Sequence, residues 1–270
     1  MKKILFPTDF SLCAENAFNY AILLAGELNA VIDVVNIYSL PFVDATNVPP
    51  EYIEQMLEEK RKMVESKLAA FANKNIHKNV GELISVYGIF VPQEISDLVK
   101  EQQYDLVVMG TRGEHHSTME KILGSITTNT MMTAGCPTLA VPEEAIWKDV
   151  GHIAFATDFE AKDKQALEQL MAFAGTLSAN VHFIHVETKP GIGTMESTVM
   201  LANYPYKFSD FAVINSPTVI EGIDRYIHDK RIDILALYIP KRGLWERLFH
   251  NSFSKKMAFH TRTPLLIFHG

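Results

Sequence analysis

One segment of this chain occurs twice. Lys3-Ile4-Leu5-Phe6-Pro7-Thr8-Asp9-Phe10 returns 149 positions later as His152-Ile153-Ala154-Phe155-Ala156-Thr157-Asp158-Phe159. The same shift carries Ala25-Gly26-Glu27-Leu28 onto Ala174-Gly175-Thr176-Leu177, and Val34-Val35-Asn36-Ile37 onto Phe183-Ile184-His185-Val186. Near the end of each copy the shift has shrunk to 127, which aligns Gly124-Ser125 with Asn251-Ser252 and Cys136-Pro137-Thr138-Leu139 with Thr263-Pro264-Leu265-Leu266. A repeat this long requires two copies of one folding unit. The change of shift requires the second copy to have lost residues between its second and third strands. The expected domains are 1–142 and 150–270, joined by the polar stretch Pro142-Glu143-Glu144-Ala145-Ile146-Trp147-Lys148-Asp149, which reads as a linker.

Each copy alternates strand and helix signals. Ile4-Leu5-Phe6 is short and continuously apolar, as a strand covered on both faces must be. Ser11 is placed to cap a helix that runs to about Leu28, with Ala14, Ala17, Phe18, Ala21, Leu24, Ala25 and Leu28 on one stripe. Val31 to Tyr38 reads as the second strand, Pro50 opens a long helix, and Leu83 to Val86 reads as the third strand. Pro92 then falls in the first turn of a helix, where a missing N–H costs nothing, and Ser216-Pro217 is expected to do the same in the second copy. Leu106 to Met109 is the fourth strand, a last helix ends at Gly135, and Thr138 to Val141 is the fifth strand. Alternation of this kind predicts an α/β fold of two tandem doubly wound domains, each a parallel sheet flanked by helices. Such sheets bind ligands at the carboxyl ends of their strands.

Those ends carry the candidate site. Thr8-Asp9 follows strand one, Ile37-Tyr38 closes strand two, and Gly110-Thr111-Arg112-Gly113 follows strand four, with Gly124-Ser125-Ile126-Thr127 farther on at a helix start. Glycine lets a ligand approach the backbone closely. A helix start offers free N–H groups and the positive end of the helix dipole to phosphate. Ser125 and Thr127 add hydroxyls, Arg112 adds positive charge, and Asp9 can accept from ribose hydroxyls or help hold a metal with the phosphates. The main chain of Ile37 is positioned to read an adenine edge. The competing reading is that the glycines only end strand four and admit close packing.

The pattern G-x-x-G, a spacer, then G-[ST] after an apolar strand resembles the nucleotide motif of the universal stress proteins, and Ile4-Leu5-Phe6-Pro7-Thr8-Asp9-Phe10-Ser11 looks like that family's start. The resemblance covers both copies. It implies five-stranded sheets of order 3-2-1-4-5 that pair through strand five, between the two copies of one chain or in a homodimer. It also implies ATP or AMP, with or without Mg, as the ligand. Carried over by position, it puts Asp9 and Ile37 near ribose and adenine, and Gly110, Gly113, Gly124 and Ser125 around the phosphates. The ATP-binding form of the motif has nine residues between its second and third glycines. This chain has ten, Glu114 to Leu123. The extra residue is either absorbed in the Glu114-His115-His116-Ser117 loop or spoils the cradle.

The second copy departs further. Gly110 is matched by Tyr238, or by Ile239 if the gap is placed differently, and Gly124 by Asn251. Asp158, Gly243 and Ser252 remain. A nucleotide is therefore expected in the first copy and not in the second, where Leu244, Trp245, Leu248 and Phe249 are expected to pack against core or partner.

A formal net charge of −7 gives no reason to hold a nucleic-acid backbone. No run of roughly 20 apolar residues spans a bilayer, and Pro7 cuts short the only apolar start, so a cytoplasmic protein is expected. Cys13 and Cys136 are two thiols without metal or redox spacing, read as buried structural groups. His115-His116 reads as a solvated loop, His182 and His185 as satisfied strand residues, Glu58 to Lys62 as a solvated helix face, and Met131-Met132 as core filler. A response-regulator reading fails, because strand three ends in Tyr87-Gly88 and offers no phosphoacceptor aspartate. Three functions stay open: a nucleotide-binding regulatory module, an interaction scaffold that binds no nucleotide, and a slow ATP hydrolase. No catalytic residue is named, since Asp9 is the sole general-base candidate.

Overall fold

The computed structural model describes residues 3–40, 49–74, 78–111, 124–157, 164–188, 209–239 and 263–269. The first half runs β1 (Lys3–Pro7), α1 (Leu12–Leu28), β2 (Val31–Tyr38), α2 (Pro50–Asn73), β3 (Val80–Tyr87), α3 (Val91–Gln102), β4 (Leu106–Gly110), α4 (Ser125–Thr133) and β5 (Thr138–Val141). The second runs β6 (His152–Ala156), α5 (Lys164–Leu177), β7 (Asn180–Glu187), β8 (Asp210–Asn215), α6 (Val219–Lys230), β9 (Ile234–Ile239) and β10 (Leu265–His269).

Among the described residues ten strands lie in one sheet, ordered β3-β2-β1-β4-β5-β10-β9-β6-β7-β8. Within each half every pairing is parallel and the order is the doubly wound 3-2-1-4-5. At the seam β5 and β10 run antiparallel, with Leu139 opposite Leu266. The largest core cluster crosses this seam, joining Leu139 and Val141 to Leu266 and Phe268.

Local chemistry places the helices as the sequence predicts, with some adjustments. The Ser11 side chain accepts the Ala14 N–H at 3.2 Å and caps α1, a bond of about 1 kcal/mol in helix stability. Pro50 opens α2, and Pro92 stands in the first turn of α3. Gly135, at φ +80°, follows the last residues of α4 in the left-handed region that only glycine occupies cheaply. In the second half the cap of α6 is Thr218, whose hydroxyl accepts the Glu221 N–H at 3.2 Å. Pro217 precedes that cap and lies outside the first turn, because an N-cap needs extended backbone and a short polar side chain. The third strand is longer than its apolar letters indicate, since main-chain pairing with β2 continues from Val80 to Tyr87.

The segment read as a linker is fastened down. Asn16 Nδ2 donates to the carbonyls of Pro142 at 3.0 Å and Ala145 at 2.9 Å. Trp147 meets Tyr20 edge-on at 4.8 Å between ring centres, and Lys148 pairs with Asp233 at 2.6 Å. Ala145 and Val150 enter the core. Met131 is fully buried under the seam, whereas Met132 is exposed and fills no core. Glu58, Arg61 and Lys62 form exposed ion pairs along one face of α2, the solvated face expected there.

Candidate functional site

β1 ends at Pro7, paired with Val35, while β2 continues for three more residues. The neighbouring β4 ends at Gly110. These unequal strand ends leave a cleft at the point where the strand order reverses, the place such sheets offer to ligands. The cleft holds about 180 Å³ and is lined by Thr8, Asp9, Ile37, Gly110, Gly124, Ser125, Ile126 and Thr127, with Asn36 and Met109. Eight of the ten residues singled out from sequence therefore surround one space. Arg112 and Gly113 lie outside the described residues, as do Asp158, Gly243, Asn251 and Ser252 of the second copy and its Leu244 to Phe249 group.

The turn after β1 is tightly held. Thr8 N–H donates to Val35 O at 2.9 Å, and Thr8 Oγ1 accepts the Phe10 N–H at 3.0 Å. Asp9 Oδ1 accepts the Ser11 N–H at 3.1 Å. Phe10 sits at φ +66°, a left-handed backbone that costs a non-glycine residue about 1–3 kcal/mol. Its ring packs edge-on against Phe71 at 5.8 Å, which anchors the strained turn. The exposed Asp9 carboxylate stands at the mouth of the cleft.

Sequence reasoning quoted Asn36 but gave it no role. The structure buries it and points its amide at this same turn, Nδ2 donating to Thr8 O at 2.7 Å. In the second half His185 takes the equivalent position and its Nδ1 donates to Thr157 O at 2.9 Å. A polar side chain on the second strand thus pins the end of the first strand in both copies. The repeat alignment held that signal, since Asn36 and His185 are hydrogen-bonding residues at equivalent positions of the second strand of each copy.

Ile37 presents its main chain to the cleft. The carbonyl of Val35 faces β1, where Thr8 takes it, and that of Tyr38 faces β3, where Gly88 N–H takes it at 2.9 Å. Strand alternation then turns the N–H and C=O of Ile37 to the β1 side, past the point where β1 has left the sheet. One donor and one acceptor side by side match the edge of a purine.

The opposite wall is the start of α4. Gly124 is its N-cap at φ −62° and ψ 156°, ordinary extended backbone. Its own N–H is spent on Thr111 O at 2.8 Å. The amides of Ser125, Ile126 and Thr127 occupy the first turn, where an α-helix supplies no internal acceptor, and the helix dipole places partial positive charge there. Ser125 and Ile126 are exposed toward the cleft. Thr127 is buried, and its hydroxyl donates to Gly110 O at 3.0 Å, tying α4 to β4. That corrects its reading as a free hydroxyl donor.

Gly110 has a packing duty as well. A Cβ there would stand 3.0 Å from Cys13 Sγ and 3.2 Å from the Cys13 carbonyl carbon and oxygen. The first turn of α1 crosses β4 at that closeness only because residue 110 has no side chain. Both cysteines are buried, and burial pushes the Cys136 thiol up to about 12, which leaves it an inert core group.

Strand pairing settles which residue replaces Gly110 in the second copy. Ile4 pairs with Leu106 and Ile153 with Ile234, and Gly110 pairs with Val141 as Tyr238 does with Phe268. Both registers put Tyr238, not Ile239, at the Gly110 position, and Tyr238 packs against the main core.

The first-copy residues fit an adenine nucleotide: a hydroxyl-accepting carboxylate, an exposed main-chain donor–acceptor pair and a first helical turn of open amides. Among the described residues no group of three His, Cys, Asp or Glu is assembled to hold a metal ion. No helix among them is long and apolar enough to cross a membrane.

Residues 1–142 match the family described as the universal stress protein family. A universal stress protein of Methanocaldococcus jannaschii is 31% identical over 147 residues, covering 52% of this chain and 81% of that one. Among solved structures, a universal stress protein from Archaeoglobus fulgidus superposes with a TM-score of 0.71 at 17% identity, covering 98% of this chain and 97% of its own. A protein of unknown function from Pseudomonas aeruginosa does so at 0.63 with 14% identity, covering 100% and 92%. These two likenesses extend the shared fold across both halves.

Proposed function

This chain belongs to the universal stress protein family, and from that membership and the cleft we propose that its first copy binds an adenine nucleotide, ATP or AMP, as a cytoplasmic regulatory module. The observation that carries the reading is a single one. The open amides of α4 and the main-chain edge of Ile37 face each other across one cleft, at the strand-order reversal of the first sheet. Adenine meets Ile37, ribose hydroxyls donate to Asp9, and phosphate oxygens accept from the Ser125, Ile126 and Thr127 amides and the Ser125 hydroxyl. The Asp9 carboxylate and a triphosphate are both anionic groups, so Mg between them favours holding the triphosphate. Arg112 and Gly113 complete the phosphate side in this proposal. The second copy, with Tyr238 at the Gly110 position, binds no nucleotide.

Occupancy is read out mechanically. α4 begins at the cleft and carries Met131 into the cluster with Ala140, Ile239 and Ile267, on both sides of the seam. A ligand that draws on the first turn of α4 therefore acts on the contact between the copies. The β5–β10 ladder supports pairing within one chain in preference to a homodimer. The scaffold reading keeps one specific support: Gly110 is accounted for by Cys13 alone. For a slow hydrolase, Asp9 is the only ionisable side chain among the described lining residues.

Protein purified without added nucleotide should release ATP, ADP or AMP on denaturation, near one per chain by chromatography and mass spectrometry. Gly124→Val should abolish binding while circular dichroism stays native. A folded Gly124→Val protein with unchanged affinity defeats the site assignment, and two nucleotides per chain defeats the asymmetry. No released nucleotide and no binding of Mg-ATP in titration moves the protein to the scaffold reading.

A further inference from the structure

At the amino-terminal edge of the strands, away from the cleft, the copies fill one pair of positions with different chemistry. The shift of 149 carries Lys3 onto His152 and Asp33 onto His182. In the first copy Lys3 Nζ lies 3.2 Å from Asp33 Oδ2. The Tyr104 hydroxyl donates to the same oxygen at 2.8 Å, and the Glu82 N–H donates to Oδ1 at 2.8 Å. The buried carboxylate is fully partnered, by an ammonium, a hydroxyl and a main-chain N–H.

In the second copy two imidazoles meet. His152 Nδ1 lies 3.0 Å from His182 Nε2, and His182 Nδ1 lies 3.2 Å from the Tyr226 hydroxyl. Tyr226 in turn lies 3.1 Å from Asp210 Oδ2, which Lys230 approaches at 2.8 Å. The chain crosses β6, β7, α6 and β8 in turn. Its proton order follows from its end. Asp210 only accepts, so Tyr226 donates to it and takes a proton from His182 Nδ1. His182 Nε2 is then a lone pair, and His152 Nδ1 donates to it. A first added proton can go to the far nitrogen of the half-buried His152 and leave this bond intact. A second must go to His182 Nε2 and sets two N–H groups against each other at 3.0 Å.

We propose that the His152–His182 pair is a proton-responsive latch in the second copy, whose double protonation breaks the side-chain contact tying β6 to β7 while the His182 Nδ1–H bond to Tyr226 on α6 is kept. The first copy, with Lys3 and Asp33 in those positions, has no such response.

The charged surroundings set the sign. Burial, the adjoining His152 and Lys230 all hold His182 below its ordinary range, and only Asp210 opposes them. Lys230 and Tyr226 keep Asp210 ionised, its carboxyl held below the usual range chiefly by the hydrogen bond from Lys230. On the His152 side, Asp233 accepts the His152 main-chain N–H at 2.9 Å and is paired with Lys148. A histidine with a lowered pKa binds its proton less tightly when folded than when unfolded. Its stabilising effect is therefore complete above about pH 6.5 and is lost as pH falls from there toward the folded value.

Thermal and urea unfolding from pH 8 to pH 5 test this on the full chain, wild type against the double variant His152→Lys/His182→Asp, which installs the first copy's pair. Wild type should lose stability relative to the variant as pH drops, by about tenfold in the unfolding constant for each unit of lowering at His182. Parallel profiles overturn the proposal. Should the double variant not fold, histidine NMR of the wild type decides. His182 should stay neutral as pH falls below about 6.5, the ordinary imidazole value. A His182 that takes its proton at or above that pH overturns the latch. Neither measurement involves nucleotide, so the result stands apart from the fate of the cleft.

Discussion

Replacing Gly110 with alanine separates two uses of one residue. The added methyl would sit 3.0 Å from Cys13 Sγ and 3.2 Å from the Cys13 carbonyl carbon and oxygen, where carbon contacts prefer about 3.5–4.0 Å. The sulfur can swing away. The carbonyl belongs to the first turn of α1, whose buried residues Cys13, Ala14, Ala17 and Phe18 are packed against the sheet, so it moves only if the helix retreats by a few tenths of an ångström. Overpacking of this kind costs about 1–3 kcal/mol, and the small overlap places this case near 1–2 kcal/mol. For a chain of this size that lowers the unfolding midpoint by about 2–8 °C. Calorimetry on ligand-free protein measures it. Adding Cys13→Ala should return only part of the loss, because the carbonyl contact remains. A Gly110→Ala midpoint equal to wild type refutes the packing argument. A lowered midpoint with unchanged nucleotide affinity shows that packing is the whole reason for the glycine, and removes Gly110 from the phosphate site.

Two further substitutions test the supports of the cleft. Asn36→Ala should cost about 1–3 kcal/mol in urea unfolding, since it leaves the Thr8 carbonyl without its 2.7 Å donor, and should weaken nucleotide binding by loosening Asp9. Asn36→His should recover most of that stability, as His185 serves Thr157 in the second copy; failure to recover would show that the two positions are not equivalent. Thr127→Val should cost about 1 kcal/mol by deleting the 3.0 Å bond to Gly110 O, while Thr127→Ser should cost less, and equal losses in the two variants would place the effect in packing.

The fold was legible where the sequence acts locally. Ser11 caps its helix through a neighbour three residues on, Pro50 and Pro92 mark helix starts by lacking an N–H, and Gly135 ends α4 by taking a positive φ. The repeat shift alone located the equivalent strands, and most of the cleft followed because doubly wound sheets put their ligands at one edge. What stayed hidden depends on residues far apart in sequence. Cys13 and Gly110 meet across β4, Asn16 holds Pro142 and Ala145, and Trp147 finds Tyr20. A polar stretch reads as a free linker until those partners are known. His182 was legible as a satisfied strand histidine, but its partnership with His152 rests on a parallel register that no local pattern encodes.

The two copies diverged at both ends of their strands while the sheet between them was kept. At the carboxyl end Tyr238 occupies the position of Gly110. At the amino end the Lys3–Asp33 ion pair is matched by the two touching imidazoles of His152 and His182. The registers of the first strand of each half with its two neighbours match position for position, whereas β2 and β3 carry a register shift beside Asp33 that β7 and β8 lack. The polar groups at the strand ends are therefore free to differ in chemistry so long as each keeps a partner, as Asn36 and His185 do for the turns they hold. That tolerance lets one chain carry the cleft proposed for a nucleotide in its first half and the histidine pair proposed as a latch in its second, joined through the cluster of Met131, Ala140, Ile239 and Ile267 under the β5–β10 seam.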